Sequence, residues 1–162
     1  MLEELHTHQK KLADLYVKEI FPRENFYITP EILNEFKGGV DIYRKAIKNS
    51  DCKKYARKFA RPAESIYEAA LLNVERHKGY EPTESTQLTE LLFDSLPNLT
   101  QKSLSYADKR LISITLSSAL TDGREKAILT DDGGITFTLR SFREKILSEG
   151  LPKNFVEYNS HK

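Results

Sequence analysis

Three short segments of the chain place acidic side chains where they could share a metal ion. Glu35 lies six residues after Thr29 in "TPEILNEF", Asp108 lies in "SYADKRLI", and Asp131 and Asp132 end the apolar run "KAILTDD". Clustered carboxylates repel one another unless a cation lies between them. Mg²⁺ and Mn²⁺ prefer oxygen ligands and keep water molecules that can meet a phosphate. These acids therefore predict a site that binds Mg²⁺ or Mn²⁺ and activates water for phosphodiester cleavage.

Each acid also has a purely structural interpretation, and the residues leave it open. Glu35 could be a solvated helix residue or pair with nearby Lys37. Asp108 lies near a predicted helix start, where a carboxylate offsets the helix dipole. The segment 131–134 could be a simple turn, because Asp and Gly favour turns. The combination of three acidic segments favours metal binding.

The elements that must position these acids are helices with three short strands between them. Apolar and β-branched runs predict strands at 25–29, 127–130 and 154–158. Helical periodicity predicts helices at 1–20, 30–37, 65–79, about 85–95, about 106–121 and 138–147, with most of 40–78 also helical. Breaks are expected at Gly38-Gly39, near 49–51 and at Pro62, with Thr29 and Ser65 as N-caps and Gly79 as a stop.

Strands separated by helices pair in parallel, with the helices on the faces of the sheet. Ligand sites in such sheets form outside the carboxyl ends of the strands. The helix that carries Glu35 and the pair Asp131-Asp132 both follow predicted strands. The predicted fold is therefore helix-rich α/β with a short parallel sheet.

Composition limits the function classes. The 162 residues suffice for one domain, and a net charge of +1 means that a nucleic-acid partner needs a local basic patch. The single cysteine, Cys52, permits no intrachain disulfide and fits a reducing compartment. We find neither an apolar segment of membrane-spanning length nor the apolar region of a signal peptide. The sequence predicts a cytoplasmic protein with no membrane partner, and it leaves the oligomeric state open.

A local basic patch is present in "CKKYARKFAR" at 52–61, with aromatic residues interleaved. Spacings of three and four place its cations along one helical face. This face could be merely solvated, or it could contact a phosphate backbone, which makes nucleic-acid binding salt-dependent. Lys109, next to Asp108, is a further candidate contact. The cations of the patch are Lys53, Lys54, Arg57, Lys58 and Arg61.

Three segments of the sequence resemble the downstream motifs of PIN-domain nucleases: "YITPEILNEF", "LSYADKRLISITLSSAL" and "KAILTDDGGI". In that family a strand leads into a Thr- or Ser-led helix whose Glu falls six residues on, and Glu35 matches it. An Asp then begins a long apolar helix, matched by Asp108. Finally a strand ends in T-x-D, matched by Thr130 and Asp132. The resemblance covers about residues 20–158.

This resemblance implies a three-layer α/β/α fold in a single domain over 1–162, with a helical insert or clamp at 40–95. It implies a metal-dependent nuclease that acts on RNA, with DNA as the alternative to RNA. Glu35, Asp108 and Asp132 would hold Mg²⁺ or Mn²⁺, Asp131 would assist, and Thr130 would orient the acids. Many family members of this size are toxins, so an antitoxin or another protein is a candidate partner.

The chain departs from the family at its beginning. PIN domains start with a central strand that ends in Asp, whereas here the only early aspartate, Asp14, lies in a helical pattern. The strand could be lost, encoded upstream, or supplied by another chain. A second hypothesis is therefore a non-catalytic PIN-like module that binds RNA or a protein. A third is a helical scaffold whose acids are caps and turns.

Overall fold

The computed structural model describes residues 1–49, 53–79, 92–124, 126–148 and 156–159. These residues belong to two compact units, Met1–Tyr80 and Glu81–Lys162. The first contains α1 (Leu2–Leu15), a π-helical turn (Tyr16–Ile20), α2 (Pro30–Asn49) and α3 (Lys53–Arg76). The second contains α4 (Asn98–Ser103), α5 (Tyr106–Asp122), β1 (Lys126–Leu129), α6 (Gly133–Ser148) and β2 (Val156–Asn159).

An antiparallel hairpin of α2 and α3 forms the body of the first unit. Near one end the ring of Tyr43 stacks on that of Phe59, with centroids 6.3 Å apart. In addition, Arg44 Nε, on the residue after Tyr43, lies 3.3 Å from Glu64 Oε1. Because Val40 and the small residue Ala60 are buried on the facing sides, the two helices can pack closely along their length.

The predicted helix breaks at Gly38-Gly39 and Pro62 are wrong. Among the described residues only Gly79 and Gly123 have positive φ, so Gly38 and Gly39 keep helical geometry and α2 runs through them. Pro62 lies inside α3. An interior proline costs a helix about 3 kcal/mol, and packing of α3 against α2 and α1 offsets that cost. Ser65 consequently lies within α3 and caps nothing.

The segment 21–29, which joins the π-helical turn to α2, is held by side chains of α3. The Asn73 side chain accepts the N–H of Ile28 at 3.1 Å and donates to the carbonyls of Phe21 and Phe26, each at 2.9 Å. Arg76 donates to the carbonyl of Pro22 at 2.7 Å. The strand predicted at 25–29 is therefore wrong, because hydrogen bonds from a helix satisfy this backbone in place of a neighbouring strand.

Thr29 begins α2, as its position before Pro30 predicts. The Thr29 side chain is buried and its Oγ1 accepts the N–H of Ile32 at 3.3 Å. Pro30 follows as the first helical residue, where its missing N–H costs nothing. Beneath this start lies an apolar cluster of Phe21, Ile28 and Ala70, with Phe26 stacked on Phe21 at 5.7 Å between ring centroids.

The second unit contains a β–α–β arrangement. β1 and β2 pair in parallel from Lys126 opposite Val156 to Leu129 opposite Asn159, and α6 connects them. The predicted helix at 106–121 and the strand predicted at 127–130 are confirmed to within one residue. The strand predicted at 154–158 is confirmed for its described part by β2, and residues 154–155 lie outside the described residues. The buried core of this unit consists of Leu92, Leu96, Leu104, Ile112, Leu116, Ala119, Ile128, Ile135, Leu139 and Phe142.

The predicted three-layer α/β/α fold is wrong. In the described part of the chain, strand pairing amounts to one two-stranded ladder of four residues per strand, and most other residues are helical. Two strands cannot separate two helical layers over a whole domain. The proposal of a single domain over 1–162 with an insert at 40–95 stays a prediction, and most of the helix predicted at 85–95 lies outside the described residues.

Replacement of Asn73 tests the attachment of the 21–29 segment. Asn73→Ala removes three hydrogen bonds and leaves buried backbone groups unpaired, so we expect the free energy of unfolding to fall by about 2–5 kcal/mol. Urea unfolding followed by circular dichroism measures it. Asn34→Ala, at an exposed position of α2, is the control and should change stability by less than about 0.5 kcal/mol. A loss below about 1 kcal/mol in Asn73→Ala would contradict this role.

Candidate functional site

Asp132 caps the N-terminus of α6. Its Oδ1 accepts the backbone N–H groups of Gly134 at 2.7 Å and Ile135 at 3.0 Å. The Asp132 carbonyl accepts the N–H of Thr136 at 3.1 Å, which is the first helical hydrogen bond. This cap is why α6 begins at Gly133, five residues before the predicted start at Thr138.

Thr130 positions the residue that caps α6. Its buried hydroxyl oxygen accepts the N–H of Asp132 at 3.0 Å. This bond bends the chain immediately after β1, so that the Asp132 carboxylate turns back toward the N–H groups of α6. Asp131, between the two, is exposed. Thr130 therefore acts on Asp132 through the backbone.

Asp108 belongs to a capping box at the start of α5. The Ser105 hydroxyl accepts the N–H of Asp108 at 3.1 Å, and Asp108 Oδ2 accepts the N–H of Ser105 at 2.9 Å. These reciprocal bonds satisfy two N–H groups that the helix cannot pair itself. The positive end of the helix dipole also stabilises the Asp108 charge.

The starts of α5 and α6 lie close together at Gly134. A Cβ added to Gly134 would lie 3.0 Å from Asp132 Oδ1, 3.4 Å from Ser103 Oγ and 3.5 Å from Leu104 Cδ2. Leu104 immediately precedes the capping residue of α5. The second unit therefore brings the segments that carry Asp108 and Asp132 to the same region, and glycine at 134 permits the approach.

The four acids are distributed over both units. Asp108, Asp131 and Asp132 belong to the second unit, whereas Glu35 is an exposed residue of α2 in the first. Within the described residues, no three or more His, Cys, Asp or Glu side chains are grouped so that they could hold a metal ion. The binding of Mg²⁺ or Mn²⁺ by these acids stays a prediction.

The basic patch forms an exposed face on the first turns of α3. We call it the cationic face, and it comprises Lys53, Lys54, Arg57, Lys58 and Arg61. Successive helical residues are rotated by roughly 100°, which places these side chains opposite the buried Ala56, Phe59 and Ala60. Four of the five are exposed, and Lys58 is intermediate.

Two further cations, which were not among the residues predicted from the sequence, lie on α2 at the end of the hairpin that carries the cationic face. Lys45 and Lys48 are exposed near the end of α2, at the same end of the hairpin. The signal was present in the sequence, because residues 44–61 contain eight Lys or Arg against one acid, Asp51. Lys109 is intermediate in exposure on α5, and its contact with nucleic acid stays a prediction.

Glu3 of α1 pairs with the cationic face. Its Oε1 lies 2.7 Å from Lys58 Nζ. The hydrogen bond and the charge of Lys58 lower the pKa of Glu3, and the same contact raises the pKa of Lys58. The pair is lost as pH falls through the pKa of Glu3 or rises through that of Lys58. Next to it His6 meets Phe59 edge to face, with ring centroids 5.6 Å apart.

No protein-family model, curated protein or solved structure matched this chain. In the described part of the chain, no helix is both long and apolar enough to cross a bilayer.

Substitution of Asp132 separates capping from metal binding. Asp132→Ala removes the acceptor for two N–H groups and should cost about 1 kcal/mol of unfolding free energy, whereas Asp132→Asn keeps an acceptor and should cost only a few tenths. Chemical denaturation of both variants measures the difference. Equal losses in the two variants would contradict the capping role. If Asp132 binds a metal ion, Asp132→Asn should abolish Mn²⁺-dependent RNA cleavage while the free energy of unfolding is retained.

Proposed function

We propose that this protein binds nucleic acid through the cationic face of α3, with RNA as its ligand. The observation that carries the proposal is the charge of this face. Within the described residues, Lys58 is the member of the face that forms an ion pair, while Lys53, Lys54, Arg57 and Arg61 are exposed and make none. Such a surface attracts a polyanion even though the chain as a whole is nearly neutral.

The spacing of the cations suits a phosphate backbone. Lys53, Arg57 and Arg61 follow one another at intervals of four residues, which is about 6 Å along the helix axis. Lys45 and Lys48 widen the surface from α2. Each phosphate neutralised by such a side chain releases counterions, so binding should weaken steeply as salt concentration rises.

Metal-dependent RNA cleavage is the second candidate function. Capping engages Oδ1 of Asp132 and Oδ2 of Asp108, and the other oxygen of each carboxylate makes no hydrogen bond to described residues. Asp132 also lies beyond the carboxyl end of β1, where ligand sites form in α/β proteins. Incubation of labelled RNA with Mn²⁺ distinguishes the candidates, since intact bound RNA supports the binding module and cleavage supports the nuclease. A protein partner such as an antitoxin stays a prediction.

Neutralising the cationic face tests the proposed function. In the triple variant Lys53→Gln, Arg57→Gln, Arg61→Gln we expect binding of labelled RNA to weaken by about tenfold or more near 0.1 M salt. The slope of log K against log salt should fall in magnitude by about 2–3. Fluorescence anisotropy at several salt concentrations gives both values.

The control variant removes the same charge elsewhere on the first unit. Lys10→Gln, Lys37→Gln, Lys78→Gln changes three exposed lysines outside the cationic face. It should retain most of the affinity and of the salt slope. Equal weakening in the two triple variants would show that net charge alone drives binding, and would refute the assignment of the surface.

Removal of Glu3 should strengthen binding. Glu3→Gln releases Lys58 for a phosphate, and we expect affinity to rise about threefold or more, with a salt slope steeper by about 0.7–0.9. Glu4→Gln is the matched control, because the neighbouring Glu4 carries the same charge on α1 but does not contact the cationic face. The comparison uses the same anisotropy titrations. Identical changes in both variants would argue against competition between Glu3 and phosphate.

A further inference from the structure

Tyr55 is an exposed aromatic residue within the cationic segment of α3. The residue is 45% exposed, although tyrosine gains free energy when its ring is buried. The apolar face of α3 in these turns is formed by Ala56, Phe59 and Ala60, all of which are buried. Nearly half of the surface of Tyr55 is therefore open to solvent.

The position of Tyr55 on the helix places it at the border of the cationic face. Helical rotation of roughly 100° per residue puts Tyr55 about 60° around α3 from Lys58 and one turn before it. Residues three apart on a helix are neighbours on its surface, so Tyr55 and Lys58 adjoin each other there. A phosphate backbone lying on the cationic face would thus run beside the Tyr55 ring.

An aromatic ring beside cations distinguishes between forms of nucleic acid. Phosphate contacts are available to a single strand and to a duplex alike. Stacking on a protein ring requires an unpaired base, because bases in a duplex already stack on their neighbours. Basic grooves with exposed aromatic residues are typical of proteins that bind single strands without strong sequence preference.

We propose that this protein binds single-stranded RNA and that Tyr55 stacks on one of its bases while the cationic face holds the adjacent phosphates. This inference rests on the proposed function and adds to it the strand state of the ligand. The Tyr55 ring supplies affinity that depends little on salt, and the cations supply affinity that salt weakens.

The test compares a single-stranded oligouridine RNA of twelve nucleotides with an RNA duplex of the same length, titrated against the full chain by fluorescence anisotropy. Tyr55→Ala should weaken single-strand binding by about 5- to 150-fold, the range found for loss of one base–aromatic stack. Tyr55→Phe should retain it, and duplex binding should change little in either variant. Tyr106→Ala is the matched control, because Tyr106 is a 73% exposed tyrosine on α5 and its loss should change neither affinity.

A cross-linking experiment gives an independent readout in the unmodified protein. Irradiation of the chain with a 5-iodouridine form of the same RNA should yield an adduct at Tyr55, located by mass spectrometry. Three results together would overturn this inference: the wild-type chain binds single strand and duplex with equal affinity, Tyr55→Ala leaves single-strand affinity unchanged, and the adducts form at other residues. The proposed function would still hold in that case. Absence of wild-type binding to either RNA would overturn the proposed function itself.

Discussion

The first unit depends on one buried amide. Asn73 is fully buried, and its side chain uses both donors and one acceptor on the backbone of residues 21–29. Without it, these backbone groups would be buried and unpaired, at a cost of about 1–3 kcal/mol each. Because the held segment ends at the Thr29 cap, Asn73 fixes where α2 begins and the register in which it meets α3. The Tyr43–Phe59 stack and the Arg44–Glu64 pair at the far end follow from that register.

Continuity of α3 links this attachment to the cationic face. Asn73 lies near the C-terminal end of the helix and Lys53 at its first residue, with Pro62 between them. A break at Pro62 would separate the part of α3 that holds residues 21–29 from the part that carries the cationic face. Buried residues lie on both sides of the proline, among them Phe59 and Ala70, and α3 continues through Pro62. The position of the cations is therefore determined by contacts about 20 residues away.

The sequence correctly predicts those helix starts and strands that interactions between neighbouring residues determine. Thr29 before Pro30 marks a helix start because one side-chain oxygen is enough to cap it, and the apolar run before Asp131 forms β1 as predicted. The failures at Gly38-Gly39, Pro62 and residues 25–29 share one cause. There, contacts with α3 or α2, distant in sequence, outweigh the local propensity. The Glu3–Lys58 pair joins residues 55 positions apart, so no pattern of spacing could indicate it.

Prediction from sequence is limited in the same way for the roles of the acidic side chains. Each of the acids at 108 and 132 fits either a cap or a metal ligand by residue type, since both roles use carboxylate oxygens, and in the sequence their combination with Glu35 favours metal binding. In the structure the N–H groups at the starts of α5 and α6 supply the positive potential that a cation would otherwise provide. Two carboxylates can therefore approach this region without a metal ion. Within the described residues, the ion pair of the cationic face is the one between Lys58 and Glu3, so most of the positive charge on the first turns of α3 is exposed to solvent.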